Sequence, residues 1–216
     1  LDALAVPVVE APGFEADDVI ATLATRAAAD GHEVVVVTGD RDSYQLVADP
    51  HIRVLYNKRG VSDYALYDEA GILERTGVTP AQYPEDAALR GDASDNLPGV
   101  PGIGEKTAAK LVTTYGDLDG IFANLDQLPP KQRANLAEWE TQVRHNHEMS
   151  VLRRDVELGT GVDDLRFANE ATTIRALGGY VMRVEGRAAA CATANHASER
   201  AQFTADAMLF NAGGLD

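Results

Sequence analysis

The segment EADDVIATLATRAAAD (residues 15–30) runs directly into GHEVVVVTGDRD (residues 31–42), and together they decide the fold class. In the first, Val19, Leu23 and Ala27 recur every four positions with Ile20 and Ala24 beside them, the apolar stripe of an amphipathic helix. Glu15, Asp17 and Asp18 crowd its first turn, where the helix dipole favours negative charge, and Gly31 follows as a stop. In the second, the valines between Glu33 and Thr38 form a β-branched run without polar alternation, as in a strand buried on both faces. A helix leading into such a strand predicts a parallel α/β sheet.

Outward from this pair, IRVLYNK (52–58) and DYALYD (63–68) read as short strands around a turn at Gly60. Helices are expected over 68–75 and over 80–90, the latter with Pro80 at a favoured first-turn position. A Gly/Pro-rich loop spans 96–104, and helices are expected over 105–115, 118–125 and about 130–153. Tyr44, Leu46 and Val47 read as core. Beyond Ala168 the chain is Ala- and Gly-rich without a helical or strand period, and no structure is predicted there.

With 216 residues, 45% of them hydrophobic, the chain can bury an ordinary core. Cys191 is its one cysteine, which excludes an internal disulfide and a cysteine zinc cluster and favours a reducing compartment. Neither an apolar run of ~18 residues nor a basic, cleavable leader is visible, so a cytoplasmic protein is expected. The net charge of −15 argues at face value against a nucleic-acid partner. Net charge is a sum, however, and many of the acids fall in clusters.

The first cluster is Glu15, Asp17 and Asp18, with Glu15 and Asp18 sharing a helical face. The second is Asp40 and Asp42, after the valine strand, where open α/β sheets place ligands. Residues i and i+2 of an extended segment point the same way, so both carboxylates are expected to project from one side. The third is Asp92 and Asp95 in RGDASDNLP (90–98). Each alone has a structural explanation: dipole complementation, a solvated loop, a turn-forming aspartate. Should they converge, like charges ~4 Å apart repel by ~4 kcal/mol per pair at an effective dielectric of 20, so the set stays ionised only around cations. Oxygen donors suit Mg2+ or Mn2+, and two such ions can activate water and stabilise the leaving oxygen of a phosphodiester. His145 and His147 diverge on a helix and are poor joint ligands.

The loop GVPGIGEKT (99–107) fails as a Walker A motif, because Glu105 pushes Lys106 out of register. It fails as a dinucleotide fingerprint, because Thr stands at 107 and no buried strand precedes it. Two readings remain: a tight helix–helix turn, or a hairpin in which Gly102 and Gly104 admit a phosphate to the amides opening the next helix. In the second reading Lys106 and, one turn on, Lys110 add positive charge.

PGFEADDVIATLA, VVVVTGDRDSYQLV and ALRGDASDNLPGVPGIGEKTAAKLV, with the helical stretch to about Leu158, closely resemble the bacterial 5′-nucleases. These comprise the 5′–3′ exonuclease and flap endonuclease domain of DNA polymerase I and stand-alone relatives. The resemblance covers about residues 1–165 in order and spacing. It implies a PIN-like parallel-sheet core over 1–90, a helix–three-turn–helix (helix-hairpin-helix) subdomain over 91–167, and a tail over 168–216 that departs from the family. It implies that Glu15, Asp17, Asp18, Asp40, Asp42, Asp92 and Asp95 are catalytic ligands for two or more Mg2+ or Mn2+ ions. It also implies that Gly99, Gly102, Gly104, Lys106, Thr107 and Lys110 grip DNA, with K+ at the hairpin. The expected partner is DNA with a 5′ flap, nick or 5′ end, without a membrane or an obligate protein partner. A family strand bearing a further ligand Asp, and a basic arch, are expected N-terminal to Leu1; a shifted reading frame near residue 168 is one origin for the tail.

Three functions follow in descending order. The first is a metal-dependent, structure-specific 5′-nuclease of replication and repair. The second is a DNA-gripping fragment without turnover. The third is a phosphatase of the haloacid dehalogenase type, which Asp40-Arg-Asp42 fits superficially. That motif wants Thr or Val where Tyr44 stands and leaves the glycine loop unexplained.

Overall fold

The computed structural model describes residues 9–59, 63–158, 180–184 and 207–211. They belong to two compact units: residues up to Asp68 with those from Arg153 onward, and Glu69–Leu152. The expected turn at Gly60 and most of the tail beyond Ala168 lie outside the described residues.

In the first unit, helix α1 (Ala16–Ala29) leads into strand β1 (Val34–Thr38). Strands β2 (Ile52–Arg59) and β3 (Asp63–Tyr67) follow, and β6 (Tyr180–Val184) and β7 (Ala207–Asn211) lie in the tail; β4 and β5 belong to the second unit. The sheet order is β3-β2-β1-β7-β6. β1 pairs in parallel with both β2 and β7, β6 pairs in parallel with β7, and β3 joins β2 antiparallel. Val34, Val35, Val36 and Thr38 are buried, as an apolar run between two paired neighbours requires. The two tail strands carried no signal in the sequence.

Helix α1 buries every residue from Val19 to Leu23 and Ala24 as well, more than a one-sided stripe. One side packs on β1 and β7. The remainder is covered by the segment Arg153–Val156, tied down by backbone bonds. The Thr22 hydroxyl donates to the Arg153 carbonyl (3.4 Å) and accepts from the Val156 amide (3.2 Å). Arg26 Nη2 donates to the Val156 carbonyl at 2.8 Å. Thr22 is thereby fully buried with its polar atom satisfied.

The second unit is helical: α2 (Glu69–Thr76), a 3-10 turn at Pro80–Gln82, α3 (Tyr83–Arg90), α4 (Glu105–Tyr115), α5 (Leu118–Ala123) and α6 (Pro130–Ser150). A two-stranded ribbon, β4 (Gly91–Asp92) with β5 (Leu97–Pro98), stands between α3 and α4. Leu89, Ile121, Leu136 and Val143 are buried among α3, α5 and α6, and truncating a leucine of this kind to alanine costs ~2–5 kcal/mol. Among the described residues no helix is long and apolar enough to cross a membrane.

An ion pair ties α6 to α3: His147 Nε2 donates to Glu85 Oε1 at 3.2 Å, while Glu85 Oε2 accepts the Leu118 amide that opens α5. This bond to Glu85 raises the His147 pKa above its ordinary 6.5, against partial burial and the nearby Arg144, with Asp119 assisting. A raised folded value makes the contribution complete below about pH 6.5, the unfolded value, and removes it as pH climbs through the folded one. The stability lost in His147→Gln should therefore be larger at about pH 5.5 than at about pH 9. Urea unfolding followed by fluorescence of Trp139, on the same helix, measures it.

Candidate functional site

Helix α1 runs ~21 Å and β1 ~17 Å, and the turn Asp30–Glu33 joins them while the helix packs on the strand. The start of the helix and the end of the strand therefore lie at the same end of the first unit. Two of the predicted carboxylate clusters are brought to that end.

Local bonding fixes Glu15, Asp18 and Asp40. Glu15 is the N-cap of α1 and Asp18 its third residue, and the two form a reciprocal capping box. Asp18 Oδ2 accepts the Glu15 amide (3.4 Å), while Oδ1 accepts the Arg153 amide (2.8 Å). Both Asp18 oxygens thus already serve the fold. The Arg153 guanidinium lies 5.7 Å from the ring centre of Phe14, which closes the turn before the helix. Asp17 is half-buried beside them.

Asp40 and Asp42 do not continue the strand, so the expectation that extended alternation points them to one side is corrected. β1 ends at Thr38, Arg41 is already in the right-handed helical region, and Asp42 opens a 3-10 helix, Asp42–Leu46. The Thr38 hydroxyl accepts the Asp40 amide (2.9 Å), and Asp40 Oδ1 accepts the Asp42 amide (2.8 Å). Tyr44, Leu46 and Val47 are buried as predicted and hold this turn down. Asp40 is exposed, and its second oxygen has no partner among the described residues.

In the second unit, Asp92 repeats the device. Its Oδ1 accepts the Ser94 amide (2.8 Å) and the Ser94 hydroxyl, and Asp95, the next residue, is exposed in the ribbon's turn. Arg90 next to the ribbon is a structural cation. It donates to the buried Asp86 at 2.7 Å and to the Tyr83 hydroxyl at 3.4 Å. Burial holds the Asp86 carboxyl above its usual range despite Arg90, while burial of the Arg90 guanidinium is outweighed by the acid beside it.

The loop after the ribbon is anchored by Val100 and Ile103, both buried, with the Ile103 amide donating to the Val100 carbonyl at 3.0 Å. Gly102 lies at φ +80°. Gly104 is the N-cap of α4, and Gly102, Gly104, Lys106 and Lys110 are exposed, with Thr107 half-buried. The helix start, the two lysines and the exposed glycines thus form one surface around the N-terminus of α4, as an anion site requires. Gly99 serves a different purpose: a Cβ there would meet the Arg90 carbonyl oxygen at 1.7 Å.

As a donor set the carboxylates offer only oxygen and fit a hard divalent cation. Among the described residues no three His, Cys, Asp or Glu side chains are gathered closely enough to hold a metal ion. Sequence reasoning missed the anchoring of Asp18 by Arg153. The two are 135 positions apart, beyond any local pattern.

The sequence of a 5′-3′ exonuclease N-terminal resolvase-like domain matches residues 1–77, and that of a 5′-3′ exonuclease C-terminal SAM fold matches residues 78–173. A DNA polymerase I of Mycobacterium tuberculosis is 51% identical over 170 residues, 77% of this chain and 18% of the relative. A 5′-3′ exonuclease of Streptomyces coelicolor is 54% identical over 143 residues, 64% of this chain and 46% of the relative. The chain therefore spans less than half the length of either. Among solved structures, the bacteriophage T5 5′-exonuclease superposes with a TM-score of 0.54 at 25% identity, covering 73% of this chain and 58% of that one. A complex of the bacteriophage T5 flap endonuclease with DNA and metal ions superposes with a TM-score of 0.56 at 25% identity, covering 71% and 53%. The α/β core followed by a helical region, as expected from the sequence, is the fold these relatives share.

The two loop glycines separate by physical cause. Gly99→Ala forces a Cβ into backbone and should cost about 3 kcal/mol or more. Gly104→Ala, at φ −105° with nothing within 4 Å of its Cβ, should stay within about 1 kcal/mol of wild type. Thermal melting of the two variants side by side checks the contrast.

Proposed function

The chain belongs to the 5′–3′ exonuclease family, and from that premise we propose that it carries the carboxylate and DNA-gripping parts of a divalent-metal-dependent 5′-nuclease acting on flaps, nicks and 5′ ends of DNA. The observation that supports this most directly is the arrival of two carboxylate clusters, Glu15–Asp18 and Asp40–Asp42, at the carboxyl end of β1. In an open parallel sheet that end is where ligands sit.

Asp17, Asp40 and Asp42 in the first unit, and Asp92 and Asp95 in the second, would hold Mg2+ or Mn2+. Such ions, when bound, polarise a phosphodiester and lower the pKa of water. The protein's share is orientation. Each turn pins one oxygen of its leading aspartate, Asp40 or Asp92, and leaves the other for an ion. Asp18 and Glu15 act differently, fixing the first turn of α1 so that Asp17 keeps its place.

DNA phosphate would lie against the N-terminus of α4. The exposed Gly104 lets a backbone approach closely, the helix amides supply donors, and Lys106 and Lys110 supply charge. None of these groups reads a base, so recognition would be by structure and not by sequence. The division of the resemblance at residues 90 and 167 is retained as a proposal for functional parts, with K+ at the hairpin proposed on the same footing.

Cleavage of a 5′-labelled flap duplex with Mn2+ tests the reading, using wild type against Asp40→Asn. Asn keeps an acceptor for the Asp42 amide and removes the charge. Cutting by wild type, reduced about 100-fold or more in the variant, is the expected result. Absence of cutting with retained, salt-sensitive DNA binding would make the chain a gripping fragment instead. In either case Lys106→Ala should lower the slope of log affinity against log salt by about one.

A further inference from the structure

Helix α6 buries Leu136, Val143, Asn146 and Ser150 along one face, and Asn146 is the one amide among them. It is fully buried, with 0% of its surface exposed. Its Nδ2 donates to the Ala88 carbonyl at 3.0 Å and to the Pro98 carbonyl at 2.9 Å, and its Oδ1 accepts from Gln142 Nε2 at 2.9 Å. Ala88 lies in the last turn of α3, where carbonyls lack intrahelical partners, and Pro98 closes β5. One side chain therefore holds the two ends of the segment that contains Asp92 and Asp95.

The neck of that segment is unusually narrow. The Val100 amide donates to the Leu89 carbonyl at 3.0 Å across it. A Cβ on Gly91 would meet the Gly99 amide nitrogen at 2.2 Å, and Gly91 is at φ +71°. Between the crossing strands only Gly91 pairs with Pro98 and Asp92 with Leu97, so the ribbon has little bonding of its own. Isolated two-stranded ribbons are marginal. What keeps its ends together must come from outside, and Asn146 has both donors needed for carbonyls on opposite sides.

Apolar packing could cover the same space but would leave the Ala88 carbonyl, buried, and the Pro98 carbonyl, part-buried, without these bonds, the first at full desolvation cost. A hydroxyl could satisfy one of them. The primary amide satisfies both, and Gln142, four residues earlier on α6, fixes which way it faces. We propose that Asn146 is a positioning residue for Asp92 and Asp95: it locks the neck of the acid-bearing ribbon so that the Asp92 turn is preformed, with Gln142 orienting its amide. The part of this that concerns metal rests on the reading of those carboxylates as ligands.

The test uses the full chain with Mn2+ alone as probe, its free concentration read by electron paramagnetic resonance. Asn146→Ser removes one donor, and Gln142→Leu frees the amide to turn without stranding a carbonyl. Each variant is first shown to be folded by the fluorescence of Trp139. Both should weaken Mn2+ binding about 10-fold, the usual effect of disturbing a group that orients a ligand. In an Asp92→Asn background they should change it no further. Amide exchange should quicken at Ser94 and Val100 but not at Val112 within α4.

Folded variants with unchanged Mn2+ affinity overturn the proposal, even where exchange at Val100 quickens, because the neck would then not govern the acids. A wild type that binds no Mn2+ would instead sink the metal reading. Exchange at Ser94 then decides the positioning by itself: quickening supports it and no change overturns it.

Discussion

Three consecutive valines, Val34–Val36, can be buried only if both faces of their strand are covered and every peptide group finds a partner, and the first unit is built to meet that condition. β2 and β7 pair with the two edges of β1, and α1 covers one face. The short turn Asp30–Glu33 sends β1 back along the helix packed on it, so the carboxyl end of β1 and the start of α1 share one end of the unit. The chemistry proposed for that end is thus a consequence of burying Val34–Val36. An acid substituted for Val36, at 0% exposure, would remove the strand and with it the place where Asp40 emerges.

The carboxylates divide into those the fold consumes and those it presents. Asp18 commits both oxygens to backbone amides, one of them that of Arg153, 135 positions on, and so behaves as a bolt between α1 and the segment covering it. Asp86, wholly buried, is committed to Arg90. Amides face Asp18 and a guanidinium faces Asp86, although Glu105 also acts on Asp86 as a like charge.

The sequence carried the elements whose signals are local. The helix at Ala16–Ala29, the valine strand, the helix at Glu105–Tyr115 and the buried Tyr44–Val47 group all follow from periodicity, caps and turn residues, and their bounds fall within a residue or two of those expected. Where the expectation for Asp40 and Asp42 failed, a tertiary demand overrode a local one. Tyr44 and Leu46 had to reach the core, and a 3-10 turn starting at Asp42 delivers them where an extended strand would not. Strands β6 and β7 were illegible because the Ala-rich tail has no alternation to read, and β7 pairs with Val34–Val37 far away in sequence while β6 pairs in turn with β7. Asn146 was illegible for the opposite reason: one polar residue on a helix gives no hint of which face it occupies.

The two loop clusters share a single local solution despite their different surroundings. In Asp40-Arg-Asp42 and in Asp92-Ala-Ser94, the leading carboxylate accepts the amide two residues on, at 2.8 Å in both cases. Such a turn removes the rotamer freedom of the aspartate before any ligand arrives, so binding an ion need not order that side chain. One oxygen is thereby anchored, and the other is left with a fixed direction. A lone aspartate on a mobile loop has neither property, which is why the short spacing within each cluster, more than the number of acids in the chain, is the informative part of the sequence.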